Sequence, residues 1–273
     1  MTPHAIISGG SSGIGLALAR KLAESGHHLT ILARDPTRLD VARRELEGVR
    51  LRDDQRILVL SVDVCDAPAV KAAVERGIAE NGAPTLVVAN AGIVIPYTFA
   101  DLTPEAFRQS MDVNYLGGVY LVHAALAAMQ AAGRGHIVLV SSGAGLLGIY
   151  GLSAYTPTKF ALRGLGEVLR AELKPQGIGV SVVYPPDTDT PMLREEIKVR
   201  PLITSRIAAT AKAATAQDVA DAILKGVAKK QFSIAPGLTL GALAHLGSLI
   251  GPLVNRLYFD PLIARLLKRP ARP

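Results

Sequence analysis

Ser8-Gly9-Gly10-Ser11-Ser12-Gly13-Ile14-Gly15 joins an apolar run, Ala5 to Ser8, to a segment with helical periodicity, Ile14 to Ser25. Gly9 can turn tightly, Gly13 lets backbone approach a pyrophosphate, and Gly15 allows close helix–strand packing. A helix that starts here presents free N–H groups and a positive dipole end to an anion. Gly9, Ser11, Ser12, Gly13, Ile14 and Gly15 are therefore candidate cofactor-binding residues. The spacing is G-x-x-x-G-x-G rather than G-x-G-x-x-G, and an ordinary glycine-rich turn is the competing explanation.

Outward from this turn, apolar runs of strand length alternate with longer helical stretches. The runs are Ala5 to Ser8, Leu29 to Ala33, Ile57 to Val62, Leu86 to Ala89, Ile137 to Ser141, Val180 to Tyr184 and a short Phe232 to Ala235. Between them lie Ile14 to Ser25, Thr37 to Glu47, Pro68 to Asn81, Pro104 to Ala131, Ser153 to Lys174 and Ala216 to Lys229. Continuously apolar strands alternating with helices predict an α/β fold: a doubly wound parallel sheet covered on both faces, a Rossmann-type three-layer sandwich. Residues 1–236 read as one nucleotide-binding domain. Residues 237–273 read as an apolar and basic helical extension. The stretch Pro185 to Ala214 is long, polar and proline-bearing.

The 273 residues are 49% hydrophobic, enough for a sizeable core. The net charge of +7 is scattered and Trp is absent, which argues against a nucleic-acid partner and suits an anionic cofactor or lipid face. Cys65 is the only cysteine, so neither an internal disulfide nor a cysteine metal cluster can form; no metal is expected. The N-terminus leaves no room for a secretory signal.

Three junctions extend the nucleotide reading. The second strand ends Leu32-Ala33-Arg34, where an NAD-preferring site has an acid; Arg34 can pair with a 2′-phosphate instead, pointing to NADPH. Asp63, followed by Val64, can accept from an adenine amine. Asn90-Ala91-Gly92 lets backbone approach a nicotinamide ribose. Alone, each is an unremarkable loop. The chemistry sits in Tyr155-Thr156-Pro157-Thr158-Lys159, with Ser142 upstream. Helical i,i+4 spacing puts Tyr155 and Lys159 on one face. The Lys cation is expected to lower the phenol's pKa from roughly 10, making Tyr155 a usable general acid. Ser142 can hold a carbonyl oxygen beside it.

Taken together, the glycine turn, Asn90-Ala91-Gly92, Asn114, Ser142, Tyr155, Lys159 and Thr190 resemble the short-chain dehydrogenase/reductase family over roughly residues 4–236. The resemblance implies a serine that orients the carbonyl, a tyrosine that donates the proton, a lysine that lowers the tyrosine pKa and holds the nicotinamide ribose, and an asparagine that supports a water relay. These roles fall to Ser142, Tyr155, Lys159 and Asn114. One departure is Pro185-Pro186 where the family has Pro-Gly. Pro186 has no N–H, so nicotinamide contacts there fall to neighbours such as Thr188 and Thr190; Pro185 is a further cofactor-binding candidate.

Tyr184-Pro185-Pro186-Asp187-Thr188-Asp189-Thr190-Pro191 resembles the 3-ketodihydrosphingosine reductase branch. Asn114-Tyr115-Leu116-Gly117, Lys159 to Leu165 and Lys198-Val199-Arg200-Pro201-Leu202 support this. It implies NADPH reduction of the C3 ketone of a long-chain amino ketone to sphinganine. Such a substrate implies a membrane. Gly237 to Val254 carries no formal charge and approaches the length of a span, about 20 residues; Arg256, Arg265, Lys268, Arg269 and Arg272 follow it. The expectation is peripheral contact with the cytoplasmic face of a membrane, against a true span, a buried helix or an oligomer contact that covers the pocket. Eukaryotic relatives carry an extra N-terminal membrane segment, so a simpler, bacterial-type attachment is expected here. A homo-oligomer, dimer or tetramer, is expected. Two alternatives stay open: a reductase of another lipophilic ketone or alcohol (steroid, retinoid, acylated ketone), and a catalytically silent NADP-binding regulatory protein.

Overall fold

Neighbouring residues of the central strands go to opposite sides of one sheet. Ala5, Ile7, Leu29 and Ile31 pack on one face, and Ile6, Leu32 and Val87 on the other. Both faces are dry, which is why the strands are apolar without alternation. The computed structural model describes residues 2–209 and 213–267.

The chain runs β1 (His4–Ser8), α1 (Gly13–Glu24), β2 (His28–Ala33), α2 (Pro36–Val49), β3 (Ile57–Ser61), α3 (Ala67–Asn81), β4 (Leu86–Ala89), α4 (Pro104–Met111), α5 (Gly117–Ala132), β5 (Gly135–Val140), α6 (Thr156–Leu173), β6 (Ile178–Val183), β7 (Thr188–Asp189), α7 (Pro191–Val199), α8 (Leu202–Ala208), β8 (Ala214–Thr215), α9 (Ala216–Ala228), β9 (Ser233–Ile234), α10 (Leu238–Val254) and α11 (Asp260–Leu267). The large sheet has the order β3-β2-β1-β4-β5-β6-β9, parallel throughout. Residues of α1, α2 and α9 cover one face, and residues of α3, α5 and α6 the other. This is the expected doubly wound sheet. Its order reverses between β1 and β4, the crevice where such sheets bind ligands.

Three local features differ from the sequence reading. The helix expected over Pro104 to Ala131 is interrupted by a π turn, Asp112–Leu116, which carries Asn114. The helix expected from Ser153 starts at Thr156, with Pro157 in its first turn and Tyr155 as its N-cap. Proline is favoured there because the first N–H groups of a helix have no internal partner. The stretch after β6 folds into α7, α8 and a small parallel β7–β8 pair. Beyond 236, α10 turns by 115° between Leu238–Gly247 and Leu249–Leu267. Leu243 and Phe259 pack there against Leu146, Leu147, Tyr184, Ile203 and Ile207. Among the described residues, two stretches have the length and apolarity of a span: this bent pair, and Pro104–Ala132, which lies within the fold. Lys268, Arg269 and Arg272 lie outside the described residues.

Candidate active site

The glycine turn is shaped by what presses on it. Gly9 and Gly13 take left-handed φ values of +65° and +54°, which side-chain-bearing residues rarely adopt. A Cβ on Gly15 would stand 2.3 Å from Gly9 O and 2.6 Å from Asn90 Nδ2. Ser12 is the N-cap of α1 but makes no side-chain cap, and the first turn holds no acid. The open N–H groups are therefore left for an anion. Asn90 Nδ2 donates to Ser8 O and Gly9 O at 3.2 and 3.1 Å. Ser8 Oγ accepts from Asn90 N and Ala91 N at 3.1 and 3.2 Å. So the ends of β1 and β4 are stapled side by side, with Ser8 a partner the sequence reading missed.

Arg34 is exposed at the end of β2 and forms no ion pair among the described residues. The turn is tied to that same end by Gly9 N donating to Leu32 O at 2.7 Å. Asp63 Oδ1 accepts from Cys65 N at 3.0 Å. Val64 is buried against the position of Gly117. Ile14, Asn90, Ala91, Gly92, Pro185, Thr188 and Thr190 line one cavity together with Gly9, Ser12 and Gly13. Ser11, Arg34, Asp63 and Val64 lie outside its lining. Thr190 caps α7 through Leu193 N at 3.3 Å, and its methyl lies 2.9 Å from where a Gly13 Cβ would be. Thr188 Oγ1 donates to Pro186 O at 2.8 Å.

Ser142, Tyr155 and Lys159 line this cavity too. Ser142 lies close enough to the Tyr155 phenol to favour its ionised form. Ser142 Oγ also accepts from Ala144 N at 3.1 Å. Lys159 Nζ donates to Val140 O at 3.1 Å and stands 5.3 Å from the Tyr155 ring centre. The expected lowering of the phenol by Lys159 is corrected here. Burial pushes the Tyr155 phenol above its ordinary value, Ser142 pulls it back in part, and the Glu196 and Asp187 carboxylates push it up further. Burial also lowers Lys159 to about 8. Removal from water dominates both shifts, because each group loses the solvation of its charged form.

Asn114 is buried, and its side chain is committed to the protein. Its Oδ1 accepts from Ile93 N at 2.7 Å, and its Nδ2 donates to Ile93 O at 3.0 Å and Thr158 Oγ1 at 3.1 Å. Thr158 Oγ1 in turn donates to Tyr155 O at 2.7 Å. The π turn thus braces the start of α6, which carries the tyrosine and lysine.

The cavity, about 570 Å³, continues from the glycine turn to a roof made by Leu240, Leu243, Ile250, Val254, Tyr258 and Phe259 of the C-terminal segment. Asp187, Glu196 and Arg200, three charged residues the sequence reading did not single out for the site, also line it. That volume is in the range of small-molecule sites.

Residues 3–200 match the family described as short chain dehydrogenase. The chain belongs to that family. Its fold and the oxidoreductase class expected from the sequence agree with this membership. The chain is 39% identical over 235 residues to a 3-dehydrosphinganine reductase of Danio rerio, spanning 86% of this chain and 71% of the relative. It is 34% identical to a 3-ketodihydrosphingosine reductase of Dictyostelium discoideum, a match covering 97% of this chain and 83% of the relative, which takes in most of the residues after 236. Among solved structures, it is similar to a short chain dehydrogenase from Mycobacterium paratuberculosis bound to NAD: 28% identity, TM-score 0.76, covering 85% of this chain and 95% of that one. It is also similar to an alcohol dehydrogenase from the archaeon Thermococcus sibiricus complexed with 5-hydroxy-NADP: 25% identity, TM-score 0.73, covering 86% and 96%.

Proposed function

We propose that this protein reduces the C3 ketone of 3-ketodihydrosphingosine to the alcohol, sphinganine, with NADPH. One observation carries the reading: the cavity that holds Ser142, Tyr155 and Lys159 continues into an apolar chamber roofed by α10 and the turn after it. A ketone can meet the polar end while an alkyl chain lies under the leucines. The names of the relatives agree with this substrate.

The glycine turn, cleared of side chains where a Cβ would collide, and the open N-terminus of α1 suit a pyrophosphate. The Arg34 guanidinium, without an ion pair among the described residues, suits a 2′-phosphate and favours NADPH over NADH. When bound, the cofactor supplies the hydride. Tyr155, kept protonated by its raised pKa, gives its phenolic proton to the ketone oxygen, which suits the reductive direction. The Ser142 hydroxyl, its oxygen held by Ala144 N–H, turns its proton from the phenol to the incoming carbonyl oxygen. Lys159 contributes a buried ammonium beside the phenol, and Asn114 positions both by bracing Thr158.

The exposed leucines of the last helices, Leu238 at 94% and Leu249 at 74% among them, lie on the segment that carries Arg256 and Arg265. They support peripheral contact with anionic lipid, which co-flotation with anionic against neutral vesicles tests. For the substrate, competition among 3-ketodihydrosphingosine, a keto-steroid and a retinal in one NADPH assay decides. Preference for the sphingoid ketone is expected. Preference for another ketone would overturn the assignment while leaving the reductase chemistry in place.

A further inference from the structure

The loop after β6 and the helix α7 bring three charged side chains to one wall of the cavity. The Arg200 side chain is only 5% exposed and Glu196 only 10%. Arg200 Nε and Nη2 both reach Glu196 Oε1 at 2.7 Å, and Nη1 donates to Asp187 Oδ2 at 2.8 Å. Two carboxylates thus share one guanidinium, leaving one negative charge in excess. Neither carboxylate pairs with another cation among the described residues. Arg194 and Lys198 of the same helix are taken up by Asp189 and Glu195, and Lys159 donates to a backbone carbonyl. Every contact of Arg200 falls on one oxygen of each carboxylate, so Glu196 Oε2 and Asp187 Oδ1 have no protein hydrogen bond among the described residues.

Asp187 is 35% exposed, so water shares the excess charge, but the part that falls on the buried Glu196 side favours a partner of opposite sign. Burial raises Glu196, although Arg200 pulls it back. Both carboxylates also act on the Tyr155 phenol, so they lie within electrostatic reach of the reacting centre. The substrate proposed above carries an ammonium group on the carbon next to its ketone. With the ketone oxygen at Tyr155 and Ser142, that ammonium enters the same cavity, whose carboxylates among the described residues are these two.

We infer that Glu196, assisted by Asp187, is the specificity-determining anion for the substrate's ammonium group, and that Arg200 holds the two carboxylates in place. The inference rests on the proposed function and deepens it. An ammonium–carboxylate hydrogen bond replaces the missing charge partner. A ketone lacking the amine leaves the anion unmatched.

The test compares kcat/KM for 3-ketodihydrosphingosine and for its analogue with hydrogen in place of the amino group, in the full chain and in Glu196→Gln and Asp187→Asn. Glutamine keeps an acceptor for Arg200 while removing the charge. The full chain should favour the amino ketone. Glu196→Gln should shrink that preference about 10- to 100-fold, the size of a charged hydrogen bond, chiefly through KM. Asp187→Asn should shrink it less, and it carries the test if Glu196→Gln does not fold by thermal melting and NADPH titration. An unchanged preference, or equal loss on both ketones, overturns the inference while leaving the reductase reading standing. If the full chain reduces neither ketone, the proposed function itself falls.

Discussion

Mild acid should destabilise this protein through two buried imidazoles, His4 and His136. His4 Nδ1 is 2.7 Å from Gly82 O, a carbonyl that can only accept, so Nδ1 carries the proton. Its Nε2, 2.9 Å from Thr30 Oγ1, therefore accepts from the Thr30 hydroxyl, which itself accepts from Asn81 Nδ2 at 3.2 Å. His136 Nε2 lies 2.7 Å from Ser181 Oγ, whose proton goes to Gln231 O at 2.5 Å, so this nitrogen is the donor. A second proton on His4 has nowhere to go without breaking the Thr30 bond. Burial accordingly lowers both imidazoles from 6.5 to about 4.

The sign follows. Between those two values the unfolded chain takes up protons that the folded chain refuses. Stability is whole above the unfolded value and is lost as pH falls from 6.5 towards 4. Each histidine should cost about 2 kcal/mol by about pH 5, and roughly 3 kcal/mol once the loss is complete. Urea unfolding at about pH 8 and about pH 5 reads this out for the wild type and for His4→Gln with His136→Gln. The double variant should lose about 4 kcal/mol less than the wild type over that interval. His27 and His28, lowered in the same direction, leave a residual slope in both proteins. An identical pH dependence in the double variant would refute the reasoning.

Arg34→Asp should weaken NADPH binding about 10- to 100-fold by fluorescence titration and leave NADH little changed; equal effects on both would remove the 2′-phosphate assignment. Gly15→Ala should abolish cofactor binding or folding, since its Cβ would meet backbone at 2.3 Å. Gly164→Ala, also helical but with nothing within 4 Å, should be neutral or stabilise by up to about 1 kcal/mol. Asn114→Ala should destabilise by about 2–4 kcal/mol, because it strands the N–H and C=O of Ile93; denaturation checks this, and a neutral effect would deny the brace.

The strands were legible to within a residue or two because burial on both faces leaves a continuous apolar run, and turn residues bracket each one. The glycine turn and the order of the motifs were legible for the same reason: their spacing is local. The π turn at Asp112–Leu116 was not, since it shifts the helical phase only once and apolar residues continue on both sides of it. Pro157 does announce that α6 starts at Thr156, so the placement of Tyr155 as a cap was within reach. The raised phenol was beyond it: spacing shows that a lysine is near but not how much water both groups lose. Glu196 and Arg200 are visible as an i,i+4 pair of the kind that usually decorates a surface. Only the fold shows that the pair turns inward onto the cavity.

The most direct test of the whole account is NADPH oxidation with 3-ketodihydrosphingosine in detergent, with the lipid product identified by mass spectrometry, for the wild type and Tyr155→Phe. The account predicts that the wild type forms one sphinganine per NADPH consumed, and that Tyr155→Phe binds NADPH but forms none. Turnover that survives in Tyr155→Phe, or a wild type that consumes no NADPH with this ketone, would contradict it.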